Sequence, residues 1–194
     1  MLNKKLIREI EKRILVHHNL YRTPIKGVLW EDIFAQSVTA VGGKSDWKPD
    51  NSHESGKDQS CTWGDLDDKK ISNKSGYYTI SSGSLKISGS RTTSYPTLEE
   101  KVQYISDKKE DYYVCLATSS LKKDDNYYIF WFDTSILDYG NQEWSETIGK
   151  KGEHTGWKCE CPKYRAWINK SLSDQLWTHI NLKECGIEPI VIDL

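Results

Sequence analysis

At 194 residues, 28% of them charged and 37% hydrophobic, the chain is long enough for one domain with its own core and too short for two comfortable ones. Eight Trp and eleven Tyr argue against a disordered chain, and a formal net charge of −1 argues against a globally basic protein that coats nucleic acid nonspecifically. A local basic groove stays compatible with that sum, because acids elsewhere cancel it.

The chain opens MLNKKLIREIEKRIL, charged at every second or third position and without the apolar run of a secretory signal; no later window reaches membrane-spanning length. Cys61, Cys115, Cys159, Cys161 and Cys185 form an odd set with no regular framework, which suits reduced thiols. The expectation is a cytoplasmic protein with no membrane partner.

Leu6, Ile7, Ile10, Ile14 and Leu15 recur at helical spacing and predict an amphipathic helix over about 4–17. A second helix is expected over about 28–41, with Leu29, Ile33, Phe34, Val38 and Val41 on its apolar face and Gly42-Gly43 as its stop. GGKSDWKPDNSHESGK, residues 42–57, reads as a surface loop. Segments rich in β-branched and aromatic residues at about 58–63, 69–74, 77–81 and 84–88, separated by turn residues, predict antiparallel strands. Thr97 with Glu100 three residues on is a capping box, followed by a helical stripe of Leu98, Val102 and Ile105. YYVCLAT at 112–118 and YYIFWFD at 127–133 read as interior strands joined by the charged turn LKKDDN. Residues 139–166 read as a long irregular segment, with a short helix near 173–182 and a last strand in IEPIVID. The fold class expected is α+β, a central mixed β-sheet flanked by helices. We expect a single domain over 1–194, with a helical start at 1–41, a sheet core at 58–133, and a loop, helix and last strand at 139–194.

If GDLDD, residues 64–68, turns a hairpin centred on Leu66, Asp58 and Lys74 are equidistant from its centre and face one another. Facing residues have Cβ atoms only about 4.5–5.5 Å apart. A carboxylate beside a lysine on neighbouring strands is the arrangement that metal-assisted phosphodiester cleavage uses, the acid holding Mg²⁺ and the lysine orienting or helping to deprotonate the attacking water. The plain alternative is an exposed cross-strand salt bridge, contributing about 0–1 kcal/mol and no chemistry.

This order of N-terminal helices, acid-bearing strand, X-Lys strand, helix and two apolar strands resembles the PD-(D/E)XK nuclease superfamily, and most of all its small type II restriction endonucleases. The likeness covers roughly residues 27–133. It implies a restriction-endonuclease-like fold and Mg²⁺-dependent, sequence-specific hydrolysis of double-stranded DNA, with a homodimer cutting both strands. By the same resemblance, Glu31 in GVLWEDIF supplies a helical metal-binding acid, Asp58 the strand acid, the Asn73 backbone carbonyl a further ligand, and Lys74 the catalytic lysine. Ser72 departs from the pattern, standing where an acid is expected; Glu31, Glu99 or Glu100 could serve as the recruited carboxylate. The text Pro49-Asp50 with Asp68-Lys69-Lys70 spells the motif more literally, but Asp50 lies in a loop-like stretch and Asp68 in an acid-dense turn, so the Asp58–Lys74 register is preferred.

Arg91 and the cluster of Lys150, Lys151, His154, Lys158, Lys163 and Arg165 are candidate DNA contacts, since Lys and Arg neutralise phosphates and Arg reads guanine bidentately. His154, Cys159 and Cys161 have poor spacing for structural zinc. Two rival functions are a noncatalytic DNA-binding protein of nuclease-like fold, which Ser72 favours, and an aromatic-rich carbohydrate-binding module, which the Trp and Tyr content favours.

Overall fold

The computed structural model describes residues 2–21, 23–49, 57–64, 66–107, 110–119 and 125–194. Leu6, Ile10 and Ile14 repeat every four residues and form the buried stripe of helix α1, Lys4–Tyr21, whose first turn is capped by Asn3 Oδ1 accepting the Leu6 amide at 2.9 Å. Helix α2, Val28–Ala40, buries Trp30, Ile33, Phe34 and Val38. It starts at Gly27, whose φ of 52° suits a residue without Cβ and whose N–H donates to Ser75 Oγ at 3.0 Å.

The strands then follow as β1 (Lys44–Ser45), β2 (Gln59–Trp63), β3 (Leu66–Thr79) and β4 (Ser84–Arg91). Helix α3, Leu98–Ser106, opens with the capping box expected at Thr97 and Glu100, and β5 (Tyr112–Ser119) and β6 (Tyr127–Asp133) come next. Both are buried along nearly their whole length, as strands covered on two faces must be.

Two expectations fail in the C-terminal third. Residues 139–166 are not an irregular loop but contain β7 (Ser145–Ile148) and β8 (His154–Glu160), followed by β9 (Tyr164–Asn169). The helix expected at 173–182 is strand β10, Gln175–Asn181, before the last strand, β11 (Ile190–Ile192). The cause is periodicity: Leu176, Thr178 and Ile180 are buried while Gln175, Trp177 and His179 alternate to the other side, a period of two that excludes a helix. The 69–74 and 77–81 segments also merge into one strand through Gly76, where an added Cβ would press on the Lys86 carbonyl.

One mixed sheet results, ordered β11-β6-β5-β3-β4-β10-β9-β8-β7, with β2 on β3 and β1 on β2. Among the described residues β3 and β5 are its one parallel pair, and the chain returns between them through α3. Strand β3 changes partner midway. Its first part pairs with β2 up to Ile71, opposite Gln59, and its last part pairs with β4 from Gly76, opposite Ile87. Between these points, among the described residues, 72–75 are paired on the β5 side alone.

Side chains of the sheet divide between two apolar cores. Under α1 and α2, Trp30 and Phe34 pack with Ile71, Val114, Leu116 and Ile129. On the other face, Tyr113, Cys115, Phe130 and Phe132 pack with Ile105 of α3 and with the inward residues of β4, β8, β9 and β10.

Gly156 in β8 has φ 147° and sits against the Ile168 carbonyl of β9, where a Cβ would collide. Gly156→Ala is therefore expected to lower stability by about 1–3 kcal/mol, read as a lower urea midpoint. An unchanged midpoint would mean that β9 yields freely.

Candidate active site

Asp58 immediately precedes β2, and its amide donates to the Ile71 carbonyl at 3.0 Å. Continuing the Gln59–Ile71 register by one step puts Asp58 level with Ser72, not with Lys74. The hairpin is centred one residue before Leu66, which shifts every cross-strand partner by two. A shift of two preserves the face, because side chains alternate with period two, so Asp58, Ser72 and Lys74 still project from the same side of the sheet. Asp58 and Lys74 are diagonal neighbours, a relation that sets residues about 7–8 Å apart rather than in contact.

The Asp58 carboxylate is held locally: the Ser72 hydroxyl donates to Oδ2 at 3.1 Å and the Asn73 amide donates to the same oxygen at 2.5 Å. In an extended strand a residue's N–H and C=O point the same way, so the Asn73 carbonyl also points toward the side where β2 has ended. Two hard oxygens, the Asp58 carboxylate and the Asn73 carbonyl, thus share the place where β3 has no partner strand among the described residues.

Lys74 stands over the Tyr113 ring at 5.3 Å and is level with Cys115 in the parallel pair. Burial pushes the Cys115 thiol up, and the Lys74 charge opposes that rise without cancelling it. Tyr113 is kept protonated first by burial and then by Glu110, which also takes up its hydroxyl in a hydrogen bond. The lysine consequently has a neutral aromatic floor.

Glu31 lies on the α2 side. Its carboxylate accepts the Trp47 indole N–H at 3.3 Å, and its backbone carbonyl accepts Gln59 Nε2 at 3.3 Å. Gln59 in turn donates to Asn73 Oδ1 at 2.6 Å, so a fully buried glutamine ties α2, β2 and β3 together directly behind the Asp58 face. The sequence reading missed Gln59; its signal was a polar residue sharing the inward positions of β2 with Cys61 and Trp63. Glu100 is committed to the capping box, its carboxylate accepting from the Thr97 amide at 3.0 Å, and Glu99 is exposed on the first turn of α3. Among the described residues no three His, Cys, Asp or Glu side chains converge as a metal cluster. That includes His154, Cys159, Cys161 and Cys185. Asp50 lies outside the described residues.

Lys57, next to Asp58, pairs with Asp46 at 3.2 Å and with Ser60 Oγ at 3.0 Å. Partial burial pushes the Asp46 carboxyl up, but the Ser60 amide and Lys57 outweigh it and the net shift is downward.

The expected DNA contacts separate from this centre. Lys158 and Arg165 are exposed on β8 and β9, Arg91 is exposed at the end of β4 opposite Gln175, and Lys150 and Lys151 occupy the β7–β8 turn. His154 turns inward on the Trp157 ring, with Nε2 2.7 Å from the Gly156 carbonyl and Nδ1 3.2 Å from Lys170 Nζ. Lys158 and Arg165 project on the face opposite to Asp58 and Lys74, because their inward neighbours Cys159, Tyr164 and Ala166 join the α3-side core.

His179, level with Arg165 and Lys86, has a proton affinity lowered first by burial and then by those two cations. Its unfolded counterpart protonates near pH 6.5, so stability is complete above that pH and is lost as pH falls toward the lower folded value. Acidification from pH 7.5 to 5.5 is expected to lower the melting temperature, and less steeply in His179→Gln. Parallel slopes for parent and variant would contradict this.

The chain was compared with known families, curated proteins and solved structures. None of them matches. No helix among the described residues is long and apolar enough to cross a membrane.

Proposed function

We propose that this chain is a Mg²⁺-dependent endonuclease acting on double-stranded DNA, of the type II restriction class in the PD-(D/E)XK manner. The observation that carries this reading is the projection of Asp58, Ser72 and Lys74 from one face where β3 exchanges β2 for β4. The order of elements supports it: two helices, the acid at the head of β2, the lysine on β3, α3 as a crossover, then the buried pair β5 and β6.

The donor set fits a hard cation. Mg²⁺ retains several waters and is bound through one or two carboxylates together with substrate phosphate, and the Asp58 carboxylate with the Asn73 carbonyl is such a set. When bound, the ion would supply positive charge at the phosphate and acidity to water. Asp58, oriented by Ser72 and the Asn73 amide, would hold it. Lys74, fixed over Tyr113, donates to the attacking water or to a phosphate oxygen. Ser72 takes the place of the family's second acid as an orienting hydroxyl. Pairing of two copies would present two such centres to a duplex, and Val16, Leu20, Tyr21 and Leu29, which line a hollow between α1 and α2, form an apolar surface for it.

Long duplex DNAs incubated with and without Mg²⁺ test the reading. Discrete metal-dependent fragments are expected. Ser72 in the acid position favours one alternative, a nuclease-like protein that binds DNA without cutting, and a DNA shift with no fragments at any Mg²⁺ concentration would favour it instead.

A further inference from the structure

Trp167 of β9 and Trp177 of β10 are directly paired, half-buried, and belong to neither apolar core. Large aromatic side chains usually lie in a core or an interface. These two project from the outer face of β4, β10 and β9, with Lys86 Nζ 4.7 Å from the Trp177 ring and 5.7 Å from the Trp167 ring, and the His179 ring edge-on to Trp167 at 4.8 Å. The neighbouring positions are Lys158, level with Trp167, and Arg165, level with His179; Glu160, level with Arg165, is the one acid in these rows. A chain with net charge −1 therefore gathers cations on this face. Trp177 Nε1 and His179 Nε2 have no hydrogen-bond partner among the described residues.

We infer that this face binds single-stranded nucleic acid, with unstacked bases on Trp167 and Trp177 and backbone phosphates on Lys86, Lys158 and Arg165. The charge identifies a polyanion, and the rings distinguish single from double strands: duplex bases are already stacked on one another, whereas every unpaired base offers a free π-face to an indole. The inference does not depend on the nuclease reading, whose residues project from the opposite face.

Fluorescence anisotropy with a labelled oligothymidine of about 15 nucleotides, in EDTA so that no cleavage intervenes, tests it. The parent is expected to bind with an affinity that falls as salt rises, and Trp167→Ala and Trp177→Ala to bind about 5- to 150-fold more weakly. The exposed pair Lys158→Gln and Arg165→Gln, which touches neither core, is expected to weaken binding with a shallower salt dependence, and decides the matter should either Trp variant misfold. Asp58→Ala is expected to bind the strand normally even if it loses cleavage. Failure of the parent to bind, full binding by the folded variants, tighter binding of a duplex of equal length through the same Trp residues, or capture of a neutral oligosaccharide in its place would overturn the inference.

Discussion

Lys74→Ala is expected to slow Mg²⁺-dependent cleavage of duplex DNA by about 10²- to 10³-fold, the range for loss of a preorganised hydrogen-bond donor at developing charge. The structure makes this a clean substitution. Lys74 contributes to neither apolar core, its recorded neighbours are the Tyr113 ring and the Cys115 thiol, and no ion pair among the described residues depends on it. Asp58→Ala is expected to cost at least as much, since it removes the carboxylate that would hold the ion and leaves the Ser72 hydroxyl and the Asn73 amide without their acceptor. Both variants should keep the parent's far-UV circular dichroism. Parental cleavage rates in both would sink the proposed site, and loss of rate together with loss of fold would show that the pair is structural.

Trp30→Ala is expected to destabilise the fold by about 3–5 kcal/mol, read from urea unfolding. Trp30 is fully buried between α2 and the sheet, its ring centroid lies 5.9 Å from that of Phe34, and its Nε1 donates to the Val114 carbonyl at 3.0 Å. Truncation leaves a cavity and removes a buried hydrogen bond to a central strand at once. A loss below about 1 kcal/mol would mean that α2 is not anchored through this residue.

Much of the fold was legible where periodicity was strong. The four-residue repeat of α1 and the Thr97–Glu100 box of α3 mark elements whose local chemistry agrees with their tertiary role. The apolar runs of β5 and β6 were equally plain. The β7–β10 meander was not, because Gly, Lys and Trp obscure an alternation that only pairing makes consistent: Trp167 and Trp177 are outward on strands whose inward residues are as modest as Ala166 and Thr178. At the candidate centre, the sequence reading had the right face and the wrong partner. Hairpin centres are set by turn geometry, here a tight connection after Gly64 (φ 55°), which composition did not distinguish from a turn at Leu66. The tie of Gln59 to Asn73 and to the Glu31 carbonyl was invisible because it joins three elements across long sequence separations.

The Mg²⁺ dependence of duplex cleavage, measured for the parent and for Asp58→Asn over the same concentration range, tests the proposed centre most directly. The replacement keeps the size of Asp58 and an acceptor oxygen for Ser72 while removing the charge that would hold the ion. A saturable activation curve is expected for the parent and a flat one for the variant. Superimposable curves would contradict it and move the chemistry away from Asp58.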